Sequence, residues 1–475
     1  MALTLRTPPG RARHPKAHTR KLTCRHLTEY AHLLPALATI ALLAAPVAPG
    51  DVSTSGKVTP ADAASAVLVL ACAVRLLRNR RRLLSPAAAA VLGAPLVGFA
   101  VATVTSPDPG ASATGFVRYA QVFVLVPAAL VLLLRDRRDF AVVAGAVVAL
   151  ALVQGGIGVW QYATGTGASY QGEDVRAVGT FGPSDIMGMA TVVAYGVVIA
   201  AGYALAPGRR AVRTGAAVCA ALLLVPLTVS FSRGTWIATA LALAVTALLA
   251  GWRQAVRVLA ALAACAVLLV GGVGVGSQMI TQRLASITQV TDAPDQSVTD
   301  RYTLWSAALS MWREHPAAGV GLKRFPDERD SHASLALDSG SDTAGAGQTF
   351  TREPLLSPHN MYLLALSEQG LIGCGLLAGS WAALLAAGGA RLHRARRAAR
   401  RPLLPAPRTA AAPGAAGRLR ARGAVAPGLA AVGLLLWQAV DFLYADIGGP
   451  STPLTAVLLG LTAWWALNST DEPAR

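Results

Sequence analysis

Runs of about 20 mostly apolar residues recur twelve times along the chain, centred near Thr39, Leu68, Leu96, Val126, Ala149, Ala194, Leu222, Ala242, Ala264, Ala378, Gly433 and Leu459. Each is long enough to cross the hydrocarbon core of a bilayer as a single helix. Inside lipid every backbone amide and carbonyl must find its partner within the protein, so repeated spans of this length form a helix bundle. The expected class is all-α: a polytopic membrane bundle of about 12 transmembrane helices, with one long extracytoplasmic loop that contains short helices. Only 14% of residues are charged and 54% are hydrophobic. An ordinary soluble domain carries roughly 25% charged residues, so a soluble enzyme is excluded.

The formal charge of +18 would suggest a nucleic-acid partner in a soluble protein, but here its placement gives another reading. With the basic N-terminal tail on the cytoplasmic side, 31 of the 42 Lys and Arg fall in segments that the span count also places inside. That alternation is what the positive-inside rule requires. It predicts both termini on the cytoplasmic side of the membrane, and no nucleic acid as partner. The organisation expected is a basic tail over 1–30, nine spans over 31–276, an extracytoplasmic loop over 277–358 and a tenth span over 359–390. A basic linker over 391–422 and the last two spans over 423–475 complete it. The APVAPG that ends the first apolar run is similar to a signal-peptide cleavage site, but the long basic tail before it favours an uncleaved span.

Five cysteines are scattered through the tail and the spans, with none in the long loop, so neither a disulfide framework nor a Cys-based metal site is expected. The acidic Asp327, Glu328 and Asp330 read as a solvated turn rather than a metal site. Ionisable groups deep in lipid cost about 2.5–3.5 kcal/mol each, and the ones found near spans gather at one depth. Arg118, Asp185, Arg233, His359 and Asp441 all map near the outer ends of different spans, with Arg176 in a loop beside them. A coupled transporter would place such groups near the midplane. The distribution instead favours a site at the outer surface of the membrane.

The loop over 277–358 is 82 residues long, and a loop of that size in a compact protein is usually functional or disordered. In RYTLWSAALSMWREHP, Trp305, Leu309 and Trp312 recur at helical spacing before Pro316. The segment is an amphipathic helix, lying on the headgroups or packed on other spans. Residues 331–350, rich in Ser, Ala, Gly and Asp, read as a flexible insertion.

Four segments taken in order resemble the O-antigen ligase and polymerase family of bacterial membrane glycosyltransferases. They are RAVGTFGPSD from Arg176, SFSRGTW from Ser230, RYTLWSAALSMWREHPAAGVGLKRF from Arg301 and SPHNMYLLALSEQGLIG from Ser357. The resemblance covers roughly 110–390. It implies transfer of glycan from a polyprenyl (undecaprenyl) diphosphate carrier to an acceptor glycan, lipid or protein, in cell-surface or exopolysaccharide assembly. Nucleotide sugar, metal and other cofactors are not implied. The family's basic residues fall on Arg176, Arg233 and Arg301, and its loop histidine on His359. Where members often carry Pro-Asn after Gly-Thr-Phe, this chain has Ser184 and Asp185, which weakens any role carried over to that position.

The residues' own chemistry fits. Guanidinium groups bind phosphate oxygens through charge-assisted, often bidentate bonds, so Arg176, Arg233 and Arg301 are candidates to hold a donor diphosphate and to stabilise its developing charge. A neutral His359 would take the proton of an acceptor hydroxyl, and a charged one would bind phosphate. The sequence leaves both open. From Asn360 to Ala390 a continuous helix would measure about 46 Å, more than the apolar thickness, so its His-Asn end should project from the membrane or bend along it. Asn360, Glu368, Asp441 and Asp185 are accessory candidates, Glu368 as an alternative base or a structural partner and Asp441, with Asp446, flanking Tyr444. A secondary transporter and a peptidoglycan-type membrane glycosyltransferase are the alternative activities.

Overall fold

Proline and short polar residues set where the helices start. Pro60, Pro86, Pro109 and Pro413 occupy first helical positions, where a missing amide costs nothing. Ser85, Asp108, Asp136 and Ser232 cap the amides that follow them. The computed structural model describes residues 29–47, 58–79, 84–170, 176–182, 185, 187–271, 296–333, 340–345, 351–354, 356–400 and 413–468. The helices are α1 (Leu34–Leu42), α2 (Pro60–Asn79), α3 (Pro86–Val104), α4 (Pro109–Ala120), α5 (Val126–Leu133), α6 (Arg137–Thr164) and α7 (Gly188–Leu205). After them come α8 (Arg210–Thr228), α9 (Arg233–Ala250), α10 (Trp252–Gly271), α11 (Gln296–Glu314), α12 (Phe325–His332), α13 (Met361–Arg400), α14 (Pro413–Asp441) and α15 (Thr452–Leu467). A π-helical turn, Gln121–Leu125, joins α4 to α5 within one span.

The chain is an all-α integral membrane protein. Among the described residues nine helices are long and apolar enough to cross a membrane, and Ala31–Leu42 and Thr452–Leu467 are shorter apolar helices. Each of the twelve apolar centres read from the sequence falls inside a helix. Helix faces meet through small residues, which let backbones approach closely without hydrophobic drive. A Cβ on Gly98 would stand 2.6 Å from the Cα of Gly373, which fixes the α3–α13 crossing. Buried aromatic side chains have their polar ends paired, as lipid requires. Trp437 Nε1 donates to Thr239 Oγ1 at 2.9 Å, Trp464 Nε1 to Leu134 O at 2.8 Å and Trp465 Nε1 to Gly388 O at 3.1 Å.

Helix α13 is not one rod. Gly370 stands at φ 60°, ψ −165°, a region open only to glycine, and the helix breaks there. A break frees backbone groups on both sides, and the turn after α11 takes them up. Leu371 N donates to Pro316 O at 2.9 Å and Ile372 N to Ala317 O at 3.1 Å. In return Val320 N donates to Ser367 O at 2.9 Å and Gly321 N to Glu368 O at 3.0 Å. The expected His-Asn helix is therefore two segments, and the second runs on to Arg400, through the first ten residues of the expected basic linker.

One reading left open is decided and one expectation changes. Helix α11 packs on α13 with Leu304, Ala307, Ala308 and Met311 buried, so it is a packed loop helix rather than a free amphipathic one. The stretch read as a flexible insertion supplies a strand. In a three-stranded antiparallel sheet β1 (Ala168–Tyr170) pairs with β2 (Gly340–Gly345), and β2 with β3 (Thr351–Pro354). The sheet ties the long loop to the connection between α6 and α7.

Candidate functional site

At one end of the bundle Asn360 fixes the start of α13. Its Oδ1 accepts from Tyr362 N and Leu363 N, each at 3.0 Å, and its Nδ2 donates to Leu443 O at 3.2 Å. Met361 N reaches Phe442 O at 2.9 Å and Ala445 O at 3.0 Å. The cap therefore belongs to Asn360, and it clamps α13 to the turn that ends α14. His359, the residue before, is held at φ 49°, a left-handed conformation uncommon for a side chain larger than glycine. Strain of this kind persists only where the surroundings impose it. Part of that constraint is visible: Trp305 Nε1, on α11, donates to Pro358 O at 2.9 Å.

Arg301 lies one helical turn before Trp305 and so on the same side of α11. It acts electrostatically on both His359 and Asp441. Burial holds the His359 imidazole below its ordinary pKa; the Asp446 carboxylate opposes this, and the positive Arg301 reinforces it. The imidazole is thus biased toward its neutral form. Asp446 Oδ2 is buried and makes no hydrogen bond among the described residues. Asp441, 4% exposed, lies within electrostatic reach of Asp446, Arg301 and Asp185.

Arg233 opens α9 directly after the Ser232 cap. A Cβ on its neighbour Gly234 would touch Tyr444 Cβ at 3.2 Å, so the positive end of α9 abuts the turn between Asp441 and Asp446. Arg176 arrives from the other side. Its backbone pairs with Ala168 in both directions, at 2.8 and 3.1 Å, and Ala177 N donates to Val229 O at 3.2 Å, just ahead of Arg233. Segments far apart in sequence, carrying Arg176, Arg233, Arg301 and His359, thus meet at one end of the bundle. All three arginines already engage in interactions within the protein.

Other candidates are occupied in packing. Glu368 is 2% exposed; it accepts from Tyr119 OH at 3.2 Å and from Phe325 N, at the start of α12, at 3.3 Å. Asp185 accepts from Ser451 N at 3.1 Å ahead of α15. Burial lifts its pKa to about 6, against the lowering by hydrogen bonds to Ser451 and Gly188. Arg118 pairs with Asp62 of α2 and reaches Gln121 Oε1 at 3.2 Å. Asp327 and Glu328 pair with Arg324, and Asp330 with Arg329. Among the described residues no group of three or more His, Cys, Asp or Glu is placed to hold a metal ion.

Sequence reasoning gave Asp446 only a flanking role and did not find the contact between Trp305 and the His359 turn. One signal for the acid was present. No Asp or Glu occurs between Glu368 and Asp441, and then two occur within six residues. The Trp305 contact joins positions 53 apart and leaves no mark in local pattern. Residues 217–378 match the family model described as O-antigen ligase. None of the curated proteins matches the chain.

Proposed function

We propose, for a chain whose residues 217–378 match the O-antigen ligase family model, that it is a membrane glycan ligase or polymerase with a specific reaction. The protein transfers saccharide from a polyprenyl (undecaprenyl) diphosphate carrier to an acceptor glycan at the outer face of the bacterial plasma membrane, in cell-surface or exopolysaccharide assembly. The observation that carries this reading is the convergence of Arg301 and His359, held by the Trp305 contact, beside the positive end of α9 with Arg233. The bias of basic residues toward the opposite end of the helices supports an outward-facing site.

In this reading Arg176, Arg233 and Arg301 hold the donor diphosphate. The acceptor oxygen attacks the anomeric carbon and forms the new glycosidic bond as the bond to the diphosphate oxygen breaks. The acceptor proton passes to His359, and polyprenyl diphosphate leaves with its added charge balanced by the arginines. The neutral bias of His359 favours the base over the phosphate binder. Asp446 then stabilises the imidazolium that forms. Glu368 is a poorer base than His359, because both its oxygens already accept hydrogen bonds inside the bundle.

The test is transfer by the purified protein in vesicles containing a polyprenyl-diphosphate-linked glycan. Wild-type protein lengthens or attaches the glycan; His359→Ala and Arg301→Ala lose transfer by factors of 100 or more, about the contribution of a positioned base. Wild-type rates in either variant would refute the site.

A further inference from the structure

The far end of the bundle presents a second cluster of charge. Arg400 and Arg396, near the end of α13, bring guanidinium nitrogens to 3.3 and 3.8 Å from where a Cβ on Gly251 would stand. Gly251 is the turn between α9 and α10. Arg253 and Arg257, both exposed, follow in the first two turns of α10. The Arg253 guanidinium lies 5.8 Å from the centre of the Trp252 ring. Four arginines from two helices nearly 150 positions apart thus gather around one turn.

No acid of these elements balances them. The sequence has no Asp or Glu between Asp185 and Asp292, nor between Glu368 and Asp441. Among the described residues none of the four makes an ion pair. The carboxyl end of α9 offers about half a negative charge, too little for four guanidiniums. Snorkelling explains single arginines at an interface, but it gives no reason for two helices to aim theirs at the same turn.

The neighbouring surface names the missing anion. Trp252, Val256 and Leu259 are 70%, 57% and 50% exposed and recur at i, i+4 and i+7, one face of α10. Arg253 and Arg257, both exposed, form the adjoining strip of the same helix. Phosphate-binding groups at the helix start, an interfacial indole beside them and an apolar stripe running away along the helix match the layout of one phospholipid.

We propose that Trp252, Arg253, Arg257, Arg396 and Arg400 form a binding site for an anionic phospholipid, its phosphate among the arginines and an acyl chain along Val256 and Leu259. The lipid bridges α10 to α13. It thereby fastens the far ends of the helices that begin at Arg233 and at the His359 turn.

The experiment uses the full chain in phosphatidylcholine vesicles with increasing fractions of brominated phosphatidylglycerol, which quenches nearby indoles. The Trp252 signal is the difference between wild type and Trp252→Phe. Trp252 is expected to be quenched by brominated phosphatidylglycerol well before brominated phosphatidylcholine. At roughly fivefold per arginine, Arg253→Gln/Arg257→Gln raises the half-saturating fraction about 25-fold, and Arg396→Gln/Arg400→Gln does likewise. Arg209→Gln/Arg210→Gln, which removes two exposed arginines beside α8, leaves it unchanged. Unaltered quenching by brominated phosphatidylcholine shows that the variants are folded. The proposal is overturned by equal quenching from the two lipids, by an equal loss in the Arg209/Arg210 variant, by no loss in the α13 pair, or by displacement of the lipid with inorganic phosphate.

Discussion

Replacing Gly370 by alanine tests the broken helix on which the geometry of the loop depends. An added Cβ would stand 2.3 Å from Ala317 C, 2.4 Å from its carbonyl oxygen and 2.5 Å from Ala318 N. All three are backbone atoms, so no side chain can swing aside. The backbone conformation alone costs a non-glycine residue about 1–3 kcal/mol. Moving the turn away strains the four hydrogen bonds that join 316–321 to the break, each worth about 1 kcal/mol net. Losing half of them brings the total to about 3–5 kcal/mol. Gly375 is the internal control: it lies in the same helix with nothing within 4 Å of an added Cβ, so Gly375→Ala is expected to be neutral or to stabilise by up to about 1 kcal/mol. Thermal unfolding in detergent, followed by intrinsic fluorescence, measures both. The turn continues directly from α11, which carries Arg301 and Trp305, so glycan transfer is expected to fall with stability in Gly370→Ala and to persist in Gly375→Ala. A Gly370→Ala protein that melts at or above the wild-type temperature would refute the break.

Three other outcomes follow from single contacts. With His359 below its ordinary pKa of 6.5 and acting as a neutral base, transfer should hold at neutral pH and fall on acidification with an apparent pKa below 6.5; a pH–rate profile in vesicles checks this, and loss of rate already at pH 7 would contradict it. Asp185 has a folded pKa of about 6 against 3.8 unfolded, so its contribution to stability is present below pH 3.8 and is lost as pH rises through 6. Asp185→Asn keeps an acceptor for Ser451 and removes that decline, worth about 3 kcal/mol for a shift of this size, which melting curves between pH 4 and 7 would show as a flatter profile. Trp305→Phe deletes the donor to Pro358 O, costing about 1 kcal/mol, and should slow transfer severalfold while the melting temperature changes little; an unchanged rate would mean that the His359 turn is held elsewhere.

Period and hydropathy were enough to locate the membrane helices, because burial in lipid imposes the same demand on every span. The candidate site was legible in part. Resemblance pointed to Arg176, Arg233, Arg301 and His359, and the fold brings their segments to one end. Arg118 looked equivalent by depth, but Asp62, 56 positions away, claims it in an ion pair that no local pattern encodes. Gly370 was visible only as a glycine inside a helical run; its conformation is set by the partner turn about 50 residues earlier. Residues 340–345 read as loop by composition, yet they pair through backbone atoms, which polar and glycine-rich sequence does not forbid. Tertiary pairing overrides local composition in each of these cases.

The central claim is that Arg301 and His359 serve one reaction although they lie 58 positions apart. A double-mutant cycle of Arg301→Ala and His359→Ala on the rate of glycan transfer in vesicles tests it most directly. Residues that share a transition state are non-additive, so the double variant should be little slower than the worse single variant, with a coupling of 1 kcal/mol or more, on the order found for contacting groups. Rate losses that add to within about 0.5 kcal/mol would place the two residues in independent roles and contradict the account.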